Sequence, residues 1–141
     1  MKVASLDKAI LSLIKQKIAL ANMGYDHPDY DEVEENLHEK EDDFTDIFGE
    51  YLEKALQQCH DLYCNKSDVL NAIAYIPKEY KETEDEELGV SVIEVGDDDG
   101  ILIDLNDFPN LEARMLILPS PTRIVIFSSA GEQEIWWAKD E

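Results

Sequence analysis

Apolar side chains recur at three- and four-residue steps as far as residue 76, and at two-residue steps from residue 88 onward. A period near 3.6 buries one face of a helix, and a period of 2 buries one face of a strand. The change of period divides the chain into a helical half and a sheet half. The connections between the apolar runs of the second half are short, which favours an antiparallel meander. The expected class is α+β, in one domain: helical over 1–77, an acidic connector over 78–87 and a β-meander over 88–141.

In the first half, Leu6, Ile10, Leu13, Ile14, Ile18 and Ala21 line one stripe. Ser5 is placed as its N-cap and Gly24 as its stop, predicting a helix over 6–23. The short link 25–28 favours an antiparallel neighbour. Helical spacing returns over 29–64, through Tyr30, Val33, Leu37, Phe44, Ile47, Phe48, Tyr51, Leu52, Ala55, Leu56, Cys59, Leu62 and Tyr63. A continuous helix there would be about 50 Å long at ~1.5 Å per residue. A compact chain of this size has a radius of gyration near ~14 Å. The helix must therefore bend, break or project. The acids 41–43 interrupt the stripe, Asp43 could cap a new helix at Phe44, and Gly49 weakens the next turn by ~1 kcal/mol relative to Ala, so a break near 42–49 is the alternative to a long helix. A short third helix is expected over 68–76, capped by Ser67 or Asp68 and ended by Pro77. Residues 78–87 have little to bury and read as an exposed connector.

Five strands are predicted in the second half: 88–95, 101–105, 114–118, 122–128 and 133–139. The run 96–100, Gly-Asp-Asp-Asp-Gly, is read as the hairpin loop joining the first two. Both faces of this sheet are apolar: Ile124 and Ile126 oppose Val125 and Phe127, and Ile135 and Trp137 oppose Trp136 and Ala138. Two apolar faces need two covers. The helices supply one, and a second copy of the chain could supply the other, which makes a homodimer the expectation.

Charge narrows the function. The chain carries 33 acidic and 12 basic side chains, a net charge of −21. Such a field repels phosphate backbones and anionic lipid, so neither nucleic acid nor membrane is expected as a partner. No apolar run approaches the ~18 residues of a membrane span, and Asp7 and Lys8 interrupt any leader-like stretch. Cys59 and Cys64, five apart, suit neither a zinc knuckle nor a redox pair and read as reduced thiols of a cytoplasmic protein.

Catalytic signals are sparse, and an enzyme is disfavoured. Glu35-x-x-His38 puts a carboxylate and an imidazole on one helix face, but di-iron bundles need two such steps and further glutamates. His27, Asp31 and His38 could form only a weaker divalent site. The loop 96–100 fails the calcium pattern, because the fifth ligand position counted from Asp97 falls on the apolar Ile101. No Gly-x-Ser-x-Gly elbow or Gly-rich phosphate loop is present. Cys59 and His60 are helix neighbours pointing about 100° apart and cannot pair directly. Arg114 and Arg123 are the only arginines. No cofactor is expected.

The feature furthest above background is residues 26–50, with twelve acids against Lys40 alone. The expected function is a non-enzymatic acidic binding protein, inhibitor- or immunity-like, that recognises a basic protein partner through Glu34, Glu35, Glu39 and Asp42 with Tyr25 and Tyr30 as aromatic anchors. A metal-dependent enzyme using Glu35 and His38, and an oligomeric structural domain whose acidity serves only solubility, are the alternatives.

Overall fold

A computed structural model describes residues 1–85 and 90–141 and gives an α+β fold. Among the described residues two helices, α1 (Val3–Ala21) and α2 (Tyr30–Tyr63), and a single 3₁₀ turn (Ala72–Tyr75) precede six strands. These are β1 (Tyr80–Asp85), β2 (Val90–Val95), β3 (Ile101–Ile103), β4 (Ala113–Leu118), β5 (Arg123–Ser128) and β6 (Gly131–Trp137). Strands β3-β4-β5-β6 form an antiparallel meander, and β1 and β2 pair as a separate two-stranded antiparallel sheet.

The α2 helix is continuous for 34 residues, with no break at 42–49. Within this stretch the Thr45 hydroxyl donates to the Glu41 carbonyl four residues back, as a side chain inside a helix can. Phe44 and Phe48 stack at 5.3 Å on the buried side across the same turn, and Gly49 is buried beside them. That packing outweighs the propensity cost of one glycine. The helix also begins its burial late: between Tyr30 and Asp43 only Leu37 is buried.

The start of α1 differs from expectation in its cap. It begins at Val3, and Ser5 does not cap it; the Val3 N–H instead donates to the Asp140 carboxylate at 2.8 Å. An acceptor 137 positions away satisfies a first-turn donor that local sequence left open. The third helix shrinks to one 3₁₀ turn with Asn71, whose side chain accepts the Ile73 N–H, as its cap. Ser67 is occupied elsewhere, its hydroxyl accepting from Asp104 N–H and its carbonyl from His60.

The acidic connector is mostly strand. Residues 80–85 pair with 90–95 in register from Tyr80↔Val95 to Asp85↔Val90; residues 86–89, with positions 88 and 89 of the predicted first strand, lie outside the described residues. Composition reports what a segment can bury, whereas ladder bonds use backbone groups that every residue here carries. Consequently 96–100 joins two sheets and is not a hairpin loop. Its third acid, Asp99, is buried and accepts three backbone N–H groups, from Lys78, Glu79 and Gly96, at 2.9–3.0 Å. Gly100 has φ of +84°, and a Cβ there would come within 2.6 Å of the Leu116 side chain. Only glycine fits.

The main core joins Leu6, Ile10, Leu13 and Ile14 of α1 to Phe44, Leu52 and Leu56 of α2, and these to Met115, Ile117, Ile124 and Ile126 on one sheet face. The opposite face presents Leu116, Leu118 and Val125, which Tyr80 and Val95 of the β1–β2 hairpin cover. The face that suggested a homodimer is thus covered within the chain. A bulge between Ile124 and Val125 breaks the expected alternation in β6, so Ile135 and Trp136 both pack toward the helical core instead of opposing each other. Trp137 is 48% exposed and donates to Glu134, which also accepts from Arg123.

Candidate functional site

Successive residues of an α-helix are separated by about 100°, so the exposed positions of α2 can be laid out by angle. Glu32, Glu35, Glu39, Asp42, Asp43, Asp46, Glu50 and Glu53 fall within one arc about 100° wide, and all are exposed. From Glu32 to Glu53 this arc runs about 30 Å along the axis at ~1.5 Å per residue. Leu37, Phe44, Phe48 and Leu52 occupy the opposite side and hold the helix on the core.

Three of the four carboxylates expected to contact a partner, Glu35, Glu39 and Asp42, share this arc. Glu34 does not. It points to the other side of the helix, half-buried next to Tyr30, whose ring lies 4.9 Å from that of Tyr25. Partial desolvation, with Tyr25 and Glu34 adding to it, holds the Tyr30 hydroxyl above the ordinary phenol range. Tyr25 itself is 87% exposed, so the two rings form a ledge at the entrance to α2.

Ile47 was expected on the apolar stripe and is instead 70% exposed. It borders the acidic arc, one turn after Asp43 and one turn before Glu50. At about 100° per residue it lies between Asp43 and Phe44, on the edge of the apolar stripe, and the core does not reach it. Leu62, likewise assigned to the stripe, is also exposed.

The arc is electrostatically uncompensated. Among the described residues its ion pairs reduce to Glu50 with Lys54, at 3.5 Å. Lys40, the one base of 26–50, reaches instead toward the Ser12 hydroxyl at 3.5 Å. Pairs such as Glu35/Glu39, Glu39/Asp43, Asp42/Asp46 and Asp46/Glu50 stand four apart, and like charges at that spacing oppose the helix by ~0.2–0.5 kcal/mol each. The packed face of α2 supports the cost, and a cationic surface docked on the arc would relieve it.

The metal alternative gains no ligand. Glu35 and His38 are both exposed, and His27 uses Nδ1 to accept the Asp29 N–H at 3.1 Å. Among the described residues no three His, Cys, Asp or Glu side chains converge on a common point. Cys59 and Cys64 are both buried and unpaired. Burial, with a smaller effect of Cys64, pushes the Cys59 thiol up to about 12, and burial with Asp104 pushes Cys64 up to about 11. Neither is a thiolate near neutral pH.

His60, adjacent to Cys59 in sequence, is fully engaged. Its Nδ1 lies 2.8 Å from the Ser67 carbonyl, which can only accept, so that nitrogen carries the proton. Nε2 pairs with the Tyr75 hydroxyl at 2.9 Å, and the same hydroxyl accepts the Leu70 N–H. Every polar atom of this buried cluster is satisfied, which marks it as a brace between α2 and the 65–75 segment. No described helix is long and apolar enough to cross a membrane. No family model matches the chain, and neither a curated protein nor a solved structure matches it.

Proposed function

We propose that this protein is a non-enzymatic binding protein that meets a basic protein partner through the outer arc of α2, in the manner of an inhibitor or immunity protein. The observation that carries the reading is the setting of Ile47: an exposed aliphatic side chain bordered by carboxylates that have almost no intramolecular counter-ions. An apolar anchor beside charge is the usual composition of a protein-binding patch, in which the anchor supplies affinity and the charges supply steering and register. Tyr25 and Tyr30 stand with Glu34 on the other side of the helix start and lie off this patch. The partner would present lysines and arginines over roughly 30 Å around a small apolar pocket, and association would reach ~10⁸ M⁻¹s⁻¹ or more at low salt.

The test is affinity capture at low and high salt with the natural chain and with two variants: Glu35→Gln/Glu39→Gln/Asp42→Asn, and Ile47→Asp. The expected outcome is one basic protein retained by the natural chain, released by salt, and lost with either variant. Retention of the same protein by both variants at unchanged strength would overturn the assignment. Glu34→Gln serves as the internal control, since Glu34 lies off the arc and its loss should leave capture intact.

A further inference from the structure

The far end of the helical hairpin holds an opening of a different character. Beyond Ile14 no residue of α1 is fully buried, and α2 has only Leu37 buried before Phe44, while the expected third helix is replaced by the single turn Ala72–Tyr75. A cavity of about 450 Å³ remains between these three segments, within the range of small-ligand sites. Its walls are mainly aliphatic, from Leu20, Leu37, Ile73 and Ile76, and two of the chain's twelve basic residues, Lys17 and Lys78, line it as well.

Neither ammonium forms an ion pair among the described residues. Lys17 is half-buried, and burial lowers its pKa; Glu41 and, less strongly, Asp99 act against that, and Lys78 adds to it. Two cations therefore line one apolar wall, one of them partly stripped of water, with no described carboxylate in direct contact with either. Glu41 at the same rim and the buried Asp99 offset part of this charge, and neither is within ion-pair distance of Lys17 or Lys78 among the described residues. Elsewhere the net charge of −21 repels small anions, so an anion held here would be held by this site alone.

We propose that this cavity binds a small apolar carboxylate, its hydrocarbon body against Leu20, Leu37, Ile73 and Ile76 and its carboxylate at the Lys17 and Lys78 ammoniums. The site uses the inward side of α2 and does not depend on the acidic arc or on its partner. Burial of the hydrocarbon supplies most of the affinity, and the lysines supply the choice of headgroup.

Titration of the ¹⁵N- and methyl-labelled protein with octanoate, 1-octanol and octylammonium, each below its aggregation threshold, tests this. Octanoate should saturate at one equivalent, with shifts centred on Ala21 and Ala74, and bind about tenfold more tightly than octanol; octylammonium should be weaker still. Lys17→Gln and Lys78→Gln should each cost octanoate about tenfold while leaving octanol unchanged. Lys78 is exposed, so Lys78→Gln keeps the experiment decisive even where Lys17→Gln perturbs packing. Equal affinity for octanoate and octanol, shifts scattered over the surface, or full octanoate affinity in Lys78→Gln would overturn the proposal.

Discussion

Several single side chains do structural work that their neighbours in sequence do not suggest. Asp7 on α1 accepts from Thr122 N–H and the Thr122 hydroxyl and from Ser120 N–H, while Arg123 donates to the carbonyls of Pro119 and Pro121, so the 119–122 turn is held from both sides. Asp99 gathers three backbone donors in the same way. Removing such an acceptor leaves partly buried N–H groups without partners, at ~1–3 kcal/mol. Asp99→Ala is therefore expected to lower the unfolding free energy by about 2–3 kcal/mol in a urea titration, whereas Asp97→Ala, on an exposed neighbour, should change it by less than about 0.5. The thiols carry a second expectation. Both cysteines hold their protons more tightly when folded than at the ordinary value of 9.0, so the unfolded chain releases them first as pH rises. Stability should be unaffected by them below about pH 9 and fall between about 9 and 11–12. Cys59→Ala/Cys64→Ala should flatten that alkaline limb of a pH–stability curve, and in the natural protein thiol reagents at pH 8 should react only at the rate of unfolding.

At the level of elements, the long helix is the decisive case. Its length, apolar spacing and acidic composition were all legible in the residues, and its continuity was not. The residues around 42–49 contain a credible cap and a glycine, and a local reading cannot weigh those against the Phe44–Phe48 packing that spans them. A direct check follows. If Asp43 capped a second helix, Asp43→Ala would cost ~1 kcal/mol. In a continuous helix it removes a like charge and improves propensity, so stability should stay the same or rise by a few tenths of a kcal/mol in thermal or urea unfolding. Strand β1 shows the opposite failure: residues 80–85 carry a loop-like composition yet pair along their whole length with 90–95, because ladder formation is decided by the partner strand.

For the whole molecule, the dominant quantity is the distribution of charge. A net −21 with most of the acidic arc unpaired means that folding draws like charges together. Added sodium chloride from about 20 to 500 mM should raise the melting temperature, because screening relieves repulsion and there are few ion pairs among the described residues to weaken. Glu35→Gln/Glu39→Gln/Asp42→Asn should raise it at low salt and shrink that salt effect. The same variant is expected to lose the partner, so stability and recognition would move in opposite directions on one helix face.

The residues alone established the α+β class, the antiparallel meander, the extents of both helices to within a few positions, and the acidic character of 26–50. Each of these follows from periodicity or composition, which act locally and are written in order along the chain. The tertiary structure decided the rest: that Asp140 caps α1, that a hairpin covers the second sheet face, that Ile47 points outward and Glu34 inward, and that Lys17 and Lys78 meet at one cavity. All of these depend on which distant segment lies alongside, a matter settled by packing and pairing between residues far apart in sequence.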